Sequence, residues 1–326
     1  MKRPRIVVDI APELAADLFD AELLARLNAA GEVRVTGGSG DGREWGEILV
    51  TGWGTPPLEP HRSKRSPDLV VHSAGTIRKL VPKSLIEEGV QVTQAPQGMA
   101  TSVAELALYL TTGLLRDLHS VDRVMFEHRD WGAASRLGLG RTVDGTRITV
   151  VGASRVGRLY IRKAGALGAL LTVYDPYLSE ADAEELGVVI SRDLDEALSG
   201  AEVVALHAPV TDETVRMLSG ERLAKLPAGT LIVNTARSAL IDMPALEREL
   251  VNGRLSAALD VFDIEPLPAG SPLWGLPNVI LTPHLGAVTI NSRRAQGRIV
   301  VEEIERYVAG EPLHNAISAG VYDRLA

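Results

Sequence analysis

The chain has 326 residues, of which 45% are hydrophobic and 23% charged, as is typical of a soluble globular protein with room for two domains. Its 34 lysines and arginines against 42 aspartates and glutamates give a net charge of -8, which argues against a nucleic-acid partner, because phosphate neutralisation needs a basic surface. The absence of cysteine excludes disulfides, thiolate metal sites and cysteine nucleophiles.

The N-terminus does not have the pattern of a signal peptide. The apolar stretch after Arg5 ends at Asp9, which is too short for the apolar region of such a peptide. No apolar run elsewhere approaches the ~20 residues that a membrane helix needs. We therefore expect a cytoplasmic protein that does not have a membrane as partner.

Short β-branched runs alternate with helical patterns in the first hundred residues. The predicted strands are 5–9, 32–35, 48–50, 69–72 and 90–92. The predicted helices are 13–29 and 99 to about 119. The stretch 120–146, which includes Trp131, has no regular spacing of apolar residues. This favours an arm or a connecting segment.

From Arg147 onward the alternation becomes regular. Apolar runs end at residues 151, 173, 190, 206, 233, 259 and 281, and most of the intervening segments have helical patterns. This order predicts an open parallel sheet with helices on both faces.

A second long helical pattern covers 289–310. Long helices before and after the regular sheet could cross between domains. We therefore expect a discontinuous first domain of residues 1–100 plus 289–326, and a second domain of residues 101–288.

A tight turn follows the first strand of the regular sheet. The dinucleotide fingerprint G-x-G-x-x-G reads here as Gly152, Ser154 and Gly157, so the middle glycine is replaced. The serine hinders close approach of a pyrophosphate, although its hydroxyl could donate to a phosphate oxygen. The next strand leads to Asp175, which could accept hydrogen bonds from the ribose hydroxyls. The alternative interpretation of Asp175 is a polar strand end followed by a turn.

Four charged or titratable residues follow the later strands of the same sheet. Asp260 comes directly after an apolar run, and Glu265 lies five residues further on. Arg237 follows the run that ends at 233, and His284 follows the last run. Ligands collect at the carboxyl ends of strands in such sheets. A cation, carboxylates and a histidine at one edge indicate an acid–base site. A lone histidine there would more often cap a loop.

At these residues the sequence resembles a known family, the NAD-dependent D-isomer-specific 2-hydroxyacid dehydrogenases. The matching stretches are 206–211, 234–237, 260–267, 278–284 and 310–313. The resemblance implies an α/β fold of two domains, in which a Rossmann-type doubly wound parallel sheet is inserted into a smaller flavodoxin-like α/β substrate domain. It also implies NAD as cofactor, a small 2-keto or 2-hydroxy acid as substrate, and a homodimer.

The resemblance implies a role for each catalytic residue. Arg237 would bind the substrate's carboxylate and carbonyl oxygen. His284 would be the acid in keto-acid reduction and the base in the reverse direction, and Glu265 would pair with it and hold it protonated.

The resemblance also implies two groups of binding residues, and it implies no metal. Those that would contact the cofactor are Gly152, Ser154, Arg155, Val156, Gly157, Asp175, His207, Ala208, Pro209, Thr214, Thr235, Ala236, Asp260 and Gly286. Those that would hold the substrate, mainly through backbone N–H groups, are Ser73, Ala74, Gly75 and Thr76.

Some positions depart from the family pattern. Besides Ser154, Ser238 follows Arg237 where glycine is usual, and Met99 stands where asparagine is common. The loop after Gly75 lacks the usual second glycine and aspartate. The changes at Met99 and after Gly75 bear on the substrate side.

Other functions within this resemblance are possible. One is an NAD(H)-sensing, corepressor-like binding protein without significant turnover. A formate-dehydrogenase-like role is disfavoured by Glu265, where that branch has glutamine. A phosphoglycerate-dehydrogenase-like role is possible, but we expect no space for the extra regulatory domain that many of those enzymes carry.

Overall fold

Strands and helices alternate along the chain in the computed structural model, which describes residues 3–63, 66–137 and 139–322. In chain order, its strands are β1 (Arg5–Asp9), β2 (Glu32–Val35), β3 (Ile48–Thr51), β4 (Leu69–His72), β5 (Gln91–Gln94), β6 (Arg147–Val151), β7 (Leu170–Tyr174), β8 (Val189–Ser191), β9 (Val203–Leu206), β10 (Leu231–Asn234), β11 (Ser256–Leu259) and β12 (Val279–Leu281). The helices are α1 (Pro12–Leu18), α2 (Ala21–Ala30), α3 (Lys83–Glu87), α4 (Ala100–Leu115), α5 (Leu118–His128), α6 (Trp131–Ser135), α7 (Arg155–Ala166), α8 (Glu180–Leu186), α9 (Leu194–Leu198), α10 (Gly220–Lys225), α11 (Met243–Val251), α12 (Ile290–Ala309) and α13 (Ala319–Tyr322).

Residues 1–100 and 287–326 form one unit, which we call unit 1; its last four residues lie outside the described part of the chain. Its five-stranded parallel sheet has the order β2-β1-β3-β4-β5. Helix α12 packs on this sheet, with Val300 and Ile304 fully buried beside Ile6. Gly297 touches α1, because a Cβ at this position would lie 2.0 Å from the carbonyl oxygen of Leu18. Helix α12 is therefore an integral part of this core.

Residues 101–286 form unit 2, which contains a seven-stranded sheet. Its order is β12-β11-β10-β9-β6-β7-β8, and all neighbouring strands are parallel. Apolar side chains form cores on both faces of the sheet. The strand order reverses between β6 and β9, which is where ligands bind in doubly wound sheets. The predicted α/β class with parallel sheets is confirmed.

The carboxyl ends of the strands in unit 2 are level with one another. The register pairs Val151 with Leu206, Asn234 with both Leu206 and Leu259, and Leu259 with Leu281. The loops that follow therefore begin side by side. Their first residues are Gly152, His207, Thr235, Asp260 and Thr282.

Two helix predictions were wrong in their bounds. The helix predicted over 13–29 is two helices, because the chain is extended at Phe19 and the Asp20 side chain accepts a hydrogen bond from the backbone N–H of Leu23 at 3.0 Å, which starts a new helix. The helix predicted to reach about 119 ends at Leu115, and Asp117 has a left-handed backbone with φ of 48°. Helix α5 then continues into the stretch that was predicted to be irregular.

The stretch 96–115, which includes α4, is long and apolar enough to cross a membrane by length and composition alone, contrary to the prediction. Half of its most apolar window is buried inside the protein. Ala104, Ala107 and Leu110 are fully buried in one core of unit 2. This burial is typical of a core helix.

Candidate active site

The turn between β6 and α7 requires glycine at two positions. Gly152 has φ of 98°, and a Cβ there would lie 2.6 Å from the backbone nitrogen of Ala208. A Cβ on Gly157 would lie 2.1 Å from the carbonyl oxygen of Gly152. The turn is thus closely packed on its neighbours and leads into the N-terminus of a 12-residue helix. A helix N-terminus reached through such a turn suits a phosphate group.

The serine in this turn has a structural role of its own. Ser154 is the N-cap of α7, and its Oγ accepts a hydrogen bond from the backbone N–H of Gly157 at 3.3 Å. Its φ is -60°, so the position does not need glycine for its backbone. Arg155 is exposed and forms no ion pair within the described part of the chain, whereas Val156 packs against a core of unit 2. The Arg155 side chain is therefore free to approach a phosphate.

Asp175 connects the turn to the loop after β7. One carboxylate oxygen accepts from the backbone N–H of Ala153 at 2.7 Å, and the other accepts from those of Tyr177 and Leu178 at 2.8 and 3.1 Å. These bonds fix the Asp175 carboxylate directly beside the turn 152–157.

The loop after β9 contributes mainly its backbone. The His207 side chain is only 4% exposed, neither ring nitrogen has a partner, and its ring centroid lies 4.8 Å from that of Tyr160. Burial lowers the pKa of His207 to about 3, so the ring is neutral. Ala208 lies against Gly152. His207 is thus a packing residue through its side chain.

Thr214 closes the same loop. Its hydroxyl donates to the carbonyl oxygen of Pro209 at 2.7 Å and accepts from the backbone N–H of Thr211 at 2.7 Å. Of the predicted cofactor contacts in this loop, Pro209 is exposed and Ala208 is buried. The loop is therefore held in shape by its own hydrogen bonds.

The loop after β10 is fixed by Asn234. The Asn234 side chain accepts from the backbone N–H of Ala236 at 3.0 Å and donates to the carbonyl oxygen of Arg237 at 2.8 Å. Thr235 is buried, and its hydroxyl oxygen has no hydrogen-bond partner. An unpaired buried hydroxyl calls for a ligand or water. This hydroxyl and the two close-packed glycines fit a bound dinucleotide.

Arg237 is a largely buried cation. Its guanidinium donates to the carbonyl oxygen of Ala236 at 2.6 Å, and no carboxylate of the described residues lies within salt-bridge distance. Burial lowers the pKa of Arg237, and the charge of Glu265 acts in the opposite direction. A buried cation without a protein partner is suited to an anionic ligand.

His284 and Glu265 form a direct pair. The Nδ1 atom of His284 lies 2.8 Å from Oε2 of Glu265, and the backbone N–H of Phe262 donates to Oε1 at 3.0 Å. Burial raises the pKa of Glu265, but these hydrogen bonds and the charges of His284 and Arg237 outweigh it and bring the pKa below its ordinary value. With Nδ1 engaged, Nε2 of His284 has no partner among the described residues and is available to a substrate.

The loop that carries His284 is held by Asp260. This carboxylate is 1% exposed. One of its oxygens accepts from the hydroxyl of Thr282 at 2.6 Å and from the backbone N–H of Leu285 at 2.7 Å, and the other accepts from that of Gly286 at 2.8 Å. Sequence reasoning placed Asp260 at the site but assigned it only a cofactor contact. That an aspartate directly follows β11, beside β12, was the available signal.

An apolar cavity of about 630 Å³ lies beside the His284–Glu265 pair. Its walls include Phe262, Leu267 and Trp274. The side chains of His284 and Glu265 are 45% and 39% exposed, so a ligand in this cavity can reach the pair.

In unit 1, the predicted substrate loop contains unpaired backbone donors. The backbone N–H groups of Ala74, Gly75 and Thr76 donate to no other described group. Ser73 and Ala74 are buried, and the Met99 side chain packs on Gly75, where a Cβ would lie 2.4 Å from its methyl carbon. Successive free N–H groups in a tight loop are suited to an anion.

Comparison with known proteins points to one family. Residues 108–286 match the family model described as D-isomer specific 2-hydroxyacid dehydrogenase, NAD binding domain. The chain is 32% identical over 308 residues to the D-3-phosphoglycerate dehydrogenase of Methanocaldococcus jannaschii, covering 94% of this chain and 55% of that protein. It is 30% identical over 272 residues to the glyoxylate reductase of Korarchaeum cryptofilum, covering 82% and 81% of the two chains.

The fold is also found among solved structures. The holo form of D-mandelate dehydrogenase from Rhodotorula graminis superposes with a TM-score of 0.84 at 24% identity, covering 97% of this chain and 98% of that one. The chain spans about half the length of the curated phosphoglycerate dehydrogenases that it matches.

Replacing Asp260 by asparagine should loosen the loop 282–286. The backbone N–H of Gly286 would face an amide nitrogen instead of a carboxylate oxygen, so we expect faster hydrogen–deuterium exchange in peptides covering 282–286. Asp242→Asn is the matched control, because Asp242 accepts a backbone hydrogen bond from Ala245 in the same unit. Unchanged exchange at 282–286 in Asp260→Asn, measured by mass spectrometry, would show that Asp260 does not hold this loop.

Proposed function

We propose, because the chain belongs to the family of D-isomer specific 2-hydroxyacid dehydrogenases, that it transfers a hydride between NAD(H) and a small 2-keto or 2-hydroxy acid of the D series. The main support is the 2.8 Å contact between His284 and Glu265 at the strand edge that also carries Arg237. The two relatives named above are called a phosphoglycerate dehydrogenase and a glyoxylate reductase, which supports the same substrate class.

The cofactor would supply the hydride for reduction of the keto carbon in its reduced form, NADH, and would accept a hydride as NAD in the reverse direction. The turn 152–157, Asp175 and Thr235 would hold it. We further propose NAD over NADP, because the Asp175 carboxylate beside the turn would repel a 2′-phosphate.

Each catalytic residue has a defined task in this proposal. The planar guanidinium of Arg237 binds the substrate's carboxylate and keto oxygen through paired donors. As the hydride reaches the carbon, the protonated His284 donates its Nε2 proton to the oxygen, which becomes the hydroxyl of the product. Glu265 remains ionised and stabilises the imidazolium through Nδ1. In the reverse direction neutral His284 accepts the proton.

The loop of residues 73–76 is proposed to bind the substrate carboxylate through its free N–H groups. Thr76 and Gly75 would contribute backbone donors, and the Ser73 hydroxyl a further one.

The alternative is an NAD(H)-sensing protein without significant turnover. Purified protein with NADH and a panel of glyoxylate, hydroxypyruvate, pyruvate and aromatic 2-keto acids should oxidise NADH with at least one of them, read at the nicotinamide absorbance. NADPH should support a slower reaction. Tight NADH binding without turnover of any acid would favour the sensing protein, and faster reaction with NADPH would overturn the cofactor preference.

Glu265→Gln should change the pH dependence of reduction. Reduction needs a proton on Nε2 of His284, and the charge of His284 is one of the causes that lower the pKa of Glu265, so the two charges stabilise each other. Removing the negative charge should therefore move the falling limb of reductive kcat/KM to lower pH, and the rising limb of oxidation should move with it. His284→Ala should lower the rate by on the order of 10²–10⁴ while NADH binding is retained.

Asp263→Asn is the matched control for this experiment. Asp263 is an exposed carboxylate on the same loop as Glu265. Its replacement removes the same charge without touching His284 and should leave the profile in place. Superimposable profiles for the wild-type protein and Glu265→Gln would contradict the assigned pairing.

We also propose a homodimer that forms through the segment 118–137. The side chains of α5 are not buried within their own chain; Phe126 is 83% exposed, and Trp131 on α6 is 76% exposed. Closed symmetric dimers are the commonest soluble oligomers. Light scattering at micromolar concentration should give twice the chain mass, and Phe126→Ser with Trp131→Ser should give the mass of one chain. A monomeric wild-type protein would refute the proposal.

A further inference from the structure

Unit 1 contains a buried arginine that lacks an anionic partner among the described residues. Arg293, in the first turns of α12, is 9% exposed. Its Nε atom is buried without an acceptor, and its guanidinium forms no hydrogen bond or ion pair with any residue that the structure describes. The charge of Asp17 acts on it, but that carboxylate lies beyond salt-bridge distance. The Nη atoms are not sealed from solvent.

The Arg293 guanidinium stacks on an aromatic ring. Its central carbon lies 4.4 Å from the ring centroid of Trp53. A cation–π contact of this kind orients the guanidinium over the ring but offers its N–H groups no hydrogen-bond acceptor. A buried ion is costly when its donors are unpaired. The N–H groups of Arg293 are therefore suited to an anionic ligand.

A rigid turn holds Trp53 in position. The backbone N–H of Thr55 donates to the carbonyl oxygen of Gly52 at 3.3 Å, and the hydroxyl of Thr55 accepts from the N–H of Gly52 at 3.0 Å. Gly54 has φ of 83°, which a turn of this shape requires. The indole N–H of Trp53 donates to no described group.

The same turn lies against the loop with free backbone donors. A Cβ on Gly52 would be 3.2 Å from the Ser73 hydroxyl oxygen. Ser73 is 2% exposed, and its hydroxyl has no partner among the described residues. A cation, an indole N–H and a hydroxyl without partners thus belong to one surface of unit 1, next to the free N–H groups of residues 74–76.

We propose that Arg293, stacked on Trp53 and assisted by Ser73, forms an oxyanion site in unit 1 that binds a carboxylate or phosphate group. The bound carboxylate or phosphate is a group of the substrate; this part of the proposal rests on the proposed function. The site itself rests on the unpaired donors alone. A free carboxylate or phosphate ion is the other possible source of the same chemistry.

Isothermal titration of the intact protein with malonate, and separately with inorganic phosphate, tests the site. At least one of the two should bind the wild-type protein. Arg293→Met should weaken that binding by about 10- to 100-fold, as expected for the loss of a charged hydrogen-bond donor. Arg293→Lys keeps the positive charge and should therefore weaken anion binding less than Arg293→Met does. Arg298→Met, an exposed arginine on the same helix, should bind as the wild type does.

Steady-state kinetics distinguish a substrate group from a free ion as the ligand of this site. If the group is the substrate's, Arg293→Met should raise KM for the reduced 2-keto acid with little change in kcat, and malonate should inhibit competitively. If malonate or phosphate binding requires Arg293 but KM is unaffected, the site exists and its ligand is a free ion. Failure of both ions to bind the wild-type protein, or equal binding by Arg293→Met, would overturn the site. Since titration needs no turnover, an inactive protein would refute the proposed function and leave this test intact.

Discussion

The buried carboxylate of Asp260 determines where His284, the proposed acid–base residue, lies. A buried charge is tolerated only when it is hydrogen-bonded, and all of the donors observed on Asp260 come from the loop 282–286. His284 sits in this loop with φ of 55°, a conformation that costs about 1–3 kcal/mol in a non-glycine residue and persists only when its surroundings enforce it. Asp260 fixes the backbone and Glu265 fixes the ring through Nδ1, so Nε2 is left as the one ring atom that can exchange a proton with a substrate.

The sequence predicts this gathering of residues for a simple reason. In a parallel sheet with level strand ends, residues that follow the strands within a few positions lie at the same edge, so Arg237, Asp260 and His284 could be placed together without a structure. The hydrogen bonds that hold these residues could not be predicted from the sequence, because such bonds depend on loop conformations. The same limit explains the helix bounds. The break before Asp20 and the end of α4 at Leu115 depend on a side-chain cap and on the left-handed backbone of Asp117, which the periodicity of apolar residues does not reveal.

The turn 152–157 explains why serine can replace the middle glycine of the dinucleotide fingerprint. Gly152 and Gly157 have no room for a side chain, so these two positions of the pattern are enforced by packing. The middle position has an ordinary backbone, and Ser154 uses its hydroxyl to cap α7. In unit 1, Met99 and Gly75 were both noted in the sequence, but only the structure reveals that the methionine methyl fills the space beside the glycine. That contact makes the wall of the predicted substrate loop apolar at this point.

Two buried histidines affect the stability of the fold at acid pH but take no part in the proposed chemistry. Burial lowers the pKa of His207 to about 3 and that of His72 to about 4. Both rings are therefore neutral in the folded protein near neutral pH, and they gain protons mainly on unfolding, where an imidazole has a pKa of about 6.5. The unfolded state thus binds more protons between about pH 6.5 and these lowered values, so the free energy of unfolding falls as the pH falls through that range. Neither ring can exchange protons with a substrate near neutral pH, because neither changes charge there. The proposed proton transfer at the carboxyl edge of the second sheet therefore involves neither of them, and its proposed donor is His284, whose Nε2 has no partner among the described residues and whose Nδ1 contacts Glu265.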